Sequence, residues 1–534
     1  MSNRLRSRAV PALLAAAALV VTGCSSGSSK SATPVANTGA AGSHATSTAT
    51  VLHIPFVDDM GVPDPDVFYG AEGLMVTNGV YDGLLQYAEN SNTVIGDVAD
   101  LPTVSADGLT YTFTLHQGIT FHDGTPLDSA AVAASFARRT AVNQGPAYML
   151  AQVKSVDTPD ATTLIVHLKS PVSAFLDYLA SPWSPKILSP TAIKAHTVNG
   201  DEAQKWLSTH DAGSGPYEIT SFVTGQKYVL TRYDNYWGTK ANFPEVDISI
   251  VASVATQELE LEKGELDMIA HGLPTQAVTD LAGKAGVTVH TYPTTLKNLL
   301  FVNPSKGAFT SPAARDALEQ ALDKPALTKD VFGGAATAST QIYPSNELPL
   351  SLTTSVVKYD PSVLKGMVNS LPTKQVDIGY DSSDPRNMEM ANFLQVTLQQ
   401  VGLDATTRAI PIAEVFAIST HLDKAPTILI QTTPPDAAHP DTWARVYMSS
   451  TGGANYMLCK DPAADKELDA GLAATTKADV DAHYGAAGNL LVKNGCFIDI
   501  ADVQDTIVTR NSLSGLSHVP AMPWSLNLAK IKNG

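Results

Sequence analysis

Residues 106–127 read ADGLTYTFTLHQGITFHDGTPL, and this stretch carries the clearest local pattern in the chain. After the turn Ala106–Gly108, apolar and polar side chains alternate from Leu109 to Leu115, which is typical of a strand with one buried face. Gly118 and Gly124 then offer the permissive backbone that tight turns need. The stretch therefore predicts a half-buried β-strand that leads into glycine turns.

Similar signals along the rest of the chain indicate the fold class. They predict strands at Thr163–Leu168, Lys227–Arg232 and Leu403–Ile410, and helices at Ala313–Leu322 and Asn387–Val401. Ser311-Pro312 is a favourable helix start, and Gly402 is a favourable stop. Strands and helices interleave without a fixed period, which predicts a mixed α/β body rather than a solenoid or propeller.

The first 24 residues have the pattern of an export signal. Arg4, Arg6 and Arg8 precede an apolar run from Ala9 to Val21, and roughly 13 residues are too few to span a hydrocarbon core of about 30 Å. We therefore expect residues 1–23 to be a cleaved signal peptide. The small residues before Cys24 resemble the lipobox of bacterial lipoproteins, which implies a lipid-anchored protein on the extracytoplasmic face of the cell membrane. The alternative is an ordinary secretory signal with an incidental cysteine.

Composition limits what the rest of the chain can do. Residues 24–50 are Ser, Thr, Gly and Ala with little to bury, so they predict a flexible tether, with order beginning near Val51. The net charge is −17, and loss of the three arginines of the signal would make it −20, which argues against nucleic acid as a partner. No other apolar run approaches the roughly 20 residues of a membrane span.

Cys459 and Cys496 are the two cysteines that follow Cys24. An even pair outside the cytoplasm favours a disulfide, whereas two buried free thiols are the alternative.

Short blocks along the whole mature chain match one known family. They are VYDGLL at 80–85, ADGLTYTF at 106–113, QGITFHDGTPL at 117–127, GSGPY at 213–217, RYDNYWG at 232–238, KGELD at 263–267, FVN at 301–303, RDAL at 315–318, ALDK at 321–324, YDP at 359–361 and LQQVGL at 398–403. In this order they resemble the family 5 extracellular solute-binding proteins, the peptide-binding subunits of ABC importers.

The resemblance implies a two-lobed, periplasmic-binding-protein-like (venus-flytrap) α/β fold of the large three-domain type. The expected parts are lobe I at 51–80, 213–300 and 490–534, a subdomain inserted into it at 81–212, and lobe II at 301–489, with crossings near 299–303 and 490–500. The implied function is capture of oligopeptides by lobe closure and their delivery to an ABC permease. No enzyme activity, cofactor or metal is expected, and the protein should act as a monomer.

The resemblance also implies where a ligand would bind. Family members hold the ligand's ammonium with an aspartate in lobe II, and the matching region here is TTPPDAAHPDTW at 432–443, which places Asp436 at that position. An aspartate in so proline-rich a loop is equally well explained as a turn or helix-cap residue. A shifted register would instead place Thr432 or Thr433 there. His439 stands where the family has an acidic residue.

Three more residues are ligand candidates. Dipeptide binders of the family carry an arginine where this chain has Asp381, and Arg386 nearby could reach a ligand carboxylate or could be a solvated helix-start residue. Trp443 and Tyr456 could form flat walls for the ligand or pack in the core.

Other functions are also conceivable. The same fold could bind haem, a metal chelate or an oligosaccharide. Ser362 and Lys365 have the Ser-x-x-Lys spacing of penicillin-recognising enzymes, but the accompanying Lys-Thr-Gly and Ser-Asp-Asn motifs are missing, which argues against a cell-wall serine peptidase. His122 beside Asp123 has no second ligand at metal spacing, so a hydrogen-bonded loop histidine is favoured.

Overall fold

A computed structural model describes residues 50–534 of the chain, and strands and helices alternate through that range. The expected signal peptide, Cys24 and nearly all of the expected tether lie outside the described residues.

The strands are β1 Val51–Phe56, β2 Leu85–Tyr87, β3 Val94–Gly96, β4 Thr103–Val104, β5 Thr110–Thr114, β6 Val153–Asp160, β7 Thr163–Leu168, β8 Tyr217–Val223, β9 Lys227–Arg232, β10 Glu245–Ile250, β11 Met268–Ile269, β12 Val287–Tyr292, β13 Lys297–Val302, β14 Ala336–Ala338, β15 Gln375–Asp381, β16 Asp404–Ile410, β17 Ile428–Thr433, β18 Phe497–Val503, β19 Asp505–Arg510, β20 Leu513–Ser514 and β21 Lys532–Asn533.

The α-helices are α1 Leu74–Val80, α2 Ser129–Val142, α3 Phe175–Ala180, α4 Pro190–His196, α5 Gln204–Leu207, α6 Val254–Lys263, α7 Thr275–Ala282, α8 Pro312–Gln320, α9 Lys324–Phe332, α10 Pro361–Met367, α11 Pro385–Gln400, α12 Ile412–Ala417, α13 Pro440–Tyr447, α14 Pro462–Ala473 and α15 Lys477–Asn494. Short 3₁₀ turns occur at Ala147–Leu150, Val368–Ser370, Ile418–Thr420 and Leu422–Lys424.

The elements predicted from local pattern are confirmed. β7 and β9 have the predicted bounds, and β5, α8, α11 and β16 differ from the predicted bounds by one or two residues at one or both ends. In β5 the alternation buries Tyr111 and Phe113. Ser311 caps α8 by accepting a hydrogen bond from the Ala314 N–H, so the Ser-Pro start acts as expected.

Three sheets are formed mainly by the first 300 residues. β1, β10, β9 and β8 make one four-stranded sheet, and β4, β5, β7 and β6 make another. β12 and β11 flank β19 in a three-stranded sheet. Gly118 and Gly124, which follow β5, have φ angles of +81° and +79°, as the predicted turns require.

The largest sheet has six strands in the order β14-β18-β13-β17-β15-β16. Every residue of β13 and β17 is buried, because apolar layers cover both faces of the sheet. Leu300 and Val302 of β13 face one apolar cluster, and Leu299 and Phe301 face another.

The chain passes between the three-stranded and six-stranded sheets twice. These passages are residues 293–296, between β12 and β13, and residue 504, between β18 and β19. The first passage ends where β13 begins, at Lys297. The Lys297 ammonium is buried but paired, with Asp502 at 2.8 Å and Ser339 at 2.6 Å.

The expected disulfide between Cys459 and Cys496 is present, with Cα atoms 6.4 Å apart. Cys459 lies just before α14, and Cys496 lies just after α15. Since α14 and α15 pack against each other, the bridge closes the base of a helical hairpin.

We expect the double substitution Cys459→Ser and Cys496→Ser to lower the free energy of unfolding by about 3–4 kcal/mol, because the bridge closes a loop of 37 residues in the unfolded chain. Urea titration monitored by circular dichroism would measure the change. Dithiothreitol should lower the midpoint of the wild type and leave that of the double variant unchanged. Equal midpoints for the oxidised wild type and the variant would contradict a stabilising bridge.

Candidate functional site

Asp436 lies in the loop that leaves the carboxyl end of β17 and leads into α13. Its side chain is buried, with the residue 3 % exposed. The residue that caps α13 is His439, whose Nδ1 accepts the Asp441 N–H at 3.1 Å. Asp436 is therefore not the helix cap that its proline-rich surroundings also allowed.

Two tyrosine hydroxyls hold the Asp436 carboxylate. Tyr69 and Tyr148 both donate to Oδ2, at 2.5 and 2.6 Å. Asp436 forms no salt bridge within residues 50–534, and burial raises its pKa to about 6. The carboxylate is thus partly stabilised by hydroxyls, while no cation neutralises it.

A buried ionic network fixes the segment that carries Tyr69. Arg138 pairs with Asp64 and Asp66 at 2.6 and 2.5 Å, and Arg139 pairs with Asp66 at 2.8 Å. Both arginines belong to α2, and the 3₁₀ turn that contains Tyr148 follows that helix. The Tyr69 and Tyr148 hydroxyls are therefore both positioned by their connections to α2.

Further hydroxyls from the same part of the chain reach this loop. Tyr87 accepts the Ala438 N–H at 2.9 Å, and Tyr178 donates to Asp441 at 2.9 Å. Ser181 donates to the Asp436 carbonyl at 2.5 Å. These contacts join residues 69–181 to residues 436–441, so the site lies where two parts of the chain that are distant in sequence meet. No sequence motif indicated these tyrosines.

Asp441 contrasts with its neighbour Asp436. Its carboxylate is paired with Arg445 at 3.0 Å and also accepts from Tyr484 at 2.7 Å. Its charge is therefore neutralised within the protein, whereas that of Asp436 is not.

The other candidates from residues 432–443 lie in packed surroundings. The Thr433 hydroxyl is hydrogen-bonded to the Tyr447 hydroxyl at 2.6 Å, and Thr432 is bonded to Asn298 and Asn387. Trp443 is fully buried, and its indole N–H donates to the Ile342 carbonyl at 2.7 Å. The structure places Trp443 in a core cluster, with its one polar atom satisfied there.

Tyr456 is buried in the same cluster, with its ring centroid 5.2 Å from that of Phe301. The structure therefore brings neither Trp443 nor Tyr456 into hydrogen-bond contact with Asp436.

Arg386 is buried rather than solvated, and its charge is already matched. It forms two short hydrogen bonds with Asp384, at 2.7 and 2.9 Å, and its guanidinium lies 5.5 Å from the Phe332 ring centroid. Asp384 also caps α11. Asp381, three residues before Asp384 at the end of β15, accepts from Gln431 at 3.2 Å. A ligand carboxylate would have to compete with Asp384 for Arg386.

A buried histidine lies near this ion pair. His271 has no hydrogen-bond partner on either ring nitrogen within the described residues, and burial lowers its pKa to about 4. Its ring is 4.1 Å from that of Trp524, whose backbone has a φ of +57°. A positive φ is unusual for so bulky a residue, and such strain is concentrated near functional sites.

The remaining residues singled out in the sequence are Ser362, Lys365 and His122. Ser362 and Lys365 are both exposed on α10, and the Ser362 hydroxyl donates to Asp360 rather than pairing with the lysine. His122 is bonded to Asp211 at 2.5 Å and to the Gly215 carbonyl at 3.0 Å.

From residue 50 onward, no three His, Cys, Asp or Glu side chains are grouped to hold a metal ion. The same residues include no helix that is long and apolar enough to span a membrane.

Comparison with known sequences gives a match over most of the chain. The sequence profile of "Bacterial extracellular solute-binding proteins, family 5 Middle" matches residues 93–455. The chain is 27 % identical over 499 residues to the "Probable D,D-dipeptide-binding periplasmic protein DdpA" of Escherichia coli K12, covering 91 % of this chain and 95 % of that relative.

Solved structures share the fold. The periplasmic binding protein DppA of Helicobacter pylori, in complex with the peptide STSA, superimposes with a TM-score of 0.79 at 20 % identity, covering 90 % of this chain and 98 % of DppA. NikZ of Campylobacter jejuni, in complex with Ni(L-His), has a TM-score of 0.78 at 19 % identity, covering 91 % and 99 %. One of these structures carries a peptide and the other a nickel complex. The structural similarity therefore shows the α/β fold and does not identify the ligand.

We expect Asp384→Asn to lower the free energy of unfolding by about 3–5 kcal/mol, because it removes the hydrogen-bonded counter-charge of the buried Arg386 while an asparagine can still cap α11. The measurement is the urea unfolding midpoint and slope.

The matched control is Asp377→Asn, which removes the partner of Arg408 in an exposed pair and should change stability by less than about 1 kcal/mol. Losses of similar size in the two variants would show that the Asp384–Arg386 pair behaves like a surface pair.

Proposed function

Because this chain belongs to the bacterial extracellular solute-binding proteins of family 5, we propose that it captures an oligopeptide between two lobes and delivers it to the permease of an ABC importer. Family members bind solutes outside the cytoplasm and are not enzymes.

The observation that carries the peptide proposal is the Asp436 carboxylate. It is buried, both hydroxyl donors use its Oδ2 atom, and no cation within residues 50–534 pairs with it. A peptide's α-ammonium would neutralise it through a charge-assisted hydrogen bond. The relative named as a D,D-dipeptide-binding protein and the DppA structure with a bound peptide support this cargo class.

Lobe closure is supported by where the contacts to Asp436 come from. We assign lobe I to 51–80, 213–296 and 504–534, with a subdomain at 81–212, and lobe II to 297–503. On this division Tyr69 and Tyr148 reach Asp436 across the cleft. A cargo bound to Asp436 would contact both sides, and it favours the closed arrangement to the extent that it binds that arrangement better than the open one.

Attachment outside the cell completes the proposal. Cleavage after residue 23 would leave Cys24 as a diacylated N-terminus, and residues 24–50 would tether the binding body to the cell membrane. A monomer on such a tether could reach the permease.

We expect Asp436→Asn to weaken binding of free-amine tripeptides roughly 10- to 100-fold, because one hydrogen bond to a charged group is lost. N-acetylated tripeptides should bind the variant and the wild type alike. Isothermal titration calorimetry would measure both, with Asp377→Asn as an exposed control.

Two results would count against these assignments. Equal weakening for free and acetylated peptides would place Asp436 outside the amine pocket. A flat titration of the wild type with peptides of two to eight residues, alongside binding of haem or a nickel chelate, would reject the peptide cargo.

Peptide binding should also release protons near pH 6. Burial raises the pKa of Asp436 to about 6, so part of the unliganded protein is protonated there, and a bound ammonium favours the ionised carboxylate. The peptide arrives already charged, since an α-amino group has a pKa of about 8. Calorimetry in buffers of different protonation enthalpy should show about 0.5 proton released at pH 6 and little at pH 8. The same release from Asp436→Asn would contradict this source of protons.

A further inference from the structure

A cavity of about 470 Å³ lies beside the loop that carries Asp436. Residues within 104–111 and 171–176 line one wall, and residues within 438–440 and 474–481 line the other. On the lobe division proposed above, the first wall belongs to the subdomain of lobe I and the second to lobe II. The volume falls within the range of pockets that bind small ligands.

Direct contacts hold the two sides of this cavity together. The Ser173 N–H donates to the Leu472 carbonyl at 2.8 Å, and the Ser173 hydroxyl donates to the Gly471 carbonyl at 2.9 Å. The Tyr87 hydroxyl, from the same subdomain as Ser173, accepts the Ala438 N–H at 2.9 Å. The two sides therefore meet at hydrogen-bonding distance, and the cavity is the space left between these contacts.

His439 lines the second wall and is 9 % exposed. Its Nδ1 accepts the Asp441 N–H at 3.1 Å, and its ring packs edge-to-face against the Tyr484 ring, with the centroids 5.5 Å apart. Its Nε2 has no hydrogen-bond partner within residues 50–534, but unlike the two ring nitrogens of His271 it is not closed to solvent. Because His439 borders the cavity, Nε2 is the atom of this ring that a molecule in the cavity can reach.

The hydrogen bond at Nδ1 decides which ring nitrogen of His439 carries the proton. Because Nδ1 accepts an N–H, it must keep its lone pair, so the neutral ring carries its proton on Nε2. Burial lowers the pKa of His439 to about 4, which keeps the ring neutral near pH 7. Nε2 is therefore a hydrogen-bond donor that is held in a fixed direction.

The charged residues that line the cavity are either paired or closed to solvent. Lys477 and Asp481 form two hydrogen bonds with each other, at 2.8 and 2.9 Å. Both carboxylate oxygens of Glu347 are closed to solvent. A neutral donor in such surroundings favours a neutral acceptor oxygen, because a carboxylate would lose its water without gaining a counter-charge.

We propose that the Nε2–H of His439 forms a subsite that receives a neutral acceptor oxygen on a side chain of the cargo. The inference rests on the proposed peptide-binding function and adds a side-chain preference to it. His439 is three residues beyond Asp436 in the same loop, so their Cα atoms are at most about 11 Å apart. A short peptide whose ammonium is bound by Asp436 is long enough to place a side chain in this cavity.

The test compares methionine with methionine sulfoxide, which adds one acceptor oxygen and no donor. Each of Met-Ala-Ala, Ala-Met-Ala and Ala-Ala-Met is titrated against its sulfoxide by isothermal titration calorimetry. We expect at least one sulfoxide peptide to bind the wild type roughly threefold to tenfold more tightly than its methionine counterpart, which is the gain that one neutral hydrogen bond gives.

Two substitutions separate the donor from the helix cap. In His439→Asn and His439→Ser the new side chain can still cap α13, but it is too short to place an N–H at the Nε2 position. In both variants the ratio of the two affinities should fall to about 1, while the methionine peptides keep their wild-type affinity. His421→Asn, at an exposed histidine of lobe II, should leave the ratio unchanged. Thermal melts establish that each variant is folded.

Nitrogen-15 NMR of the histidine rings supplies a readout that a purely structural role would not move. His439 should show a protonated Nε2 and an unprotonated Nδ1 at pH 7. The Nε2 resonance should shift further with the preferred sulfoxide peptide than with its methionine counterpart. A proton on Nδ1 instead of Nε2 would overturn the donor assignment.

The outcomes separate this inference from the proposed function. If the sulfoxide and methionine peptides bind the wild type equally at all three positions, the subsite is overturned while peptide binding stands. The same conclusion follows if the sulfoxide preference survives in both His439→Asn and His439→Ser. If no peptide of either set binds, the proposed function fails and the subsite fails with it.

Discussion

The Asp436 carboxylate is buried with no cation from residues 50–534 paired to it, and this constraint organises the proposed site. Two other buried aspartates are neutralised within the chain, Asp384 by Arg386 and Asp441 by Arg445. At Asp436 it supplies hydroxyls alone, and hydroxyls only partly offset the cost of removing a charge from water. A carboxylate that is stabilised only by hydroxyls favours a positively charged ligand. Such a preference is consistent with a protein of a solute-binding family.

The contacts between the two sides of the site differ in kind from those within each lobe. The six-stranded sheet is covered on both faces by apolar clusters, and its buried polar groups, such as Lys297, are paired within it. Across the site the contacts are hydroxyl groups of tyrosines and a serine. Water can replace a hydroxyl contact at a small net cost, whereas an apolar core resists separation. On the lobe division proposed above, the lobes would part at the site while each remained folded.

The sequence pattern was sufficient to predict the elements that depend on residues close together in the chain. β5, β7 and α8 follow from alternation and capping within a few residues, whereas the choice of Asp436 came from a motif register and stays a proposal. The partners of Asp436 could not be found in this way, because Tyr69 and Tyr148 are 367 and 288 residues distant in the chain. Arg386 was expected to meet solvent or ligand, but it pairs with an aspartate two residues earlier, which only the side-chain geometry reveals.

The disulfide affects how force passes through the part of the chain that contains α14, α15 and β18. Because it fastens the open end of the α14–α15 hairpin to the start of β18, force applied at those helices reaches the central sheet through a covalent link as well as through packing. β18 leads in turn to the passage at residue 504. On the proposed lobe division, such a braced unit would move as one body, and the change of backbone angles would fall in the two short connections, residues 293–296 and residue 504.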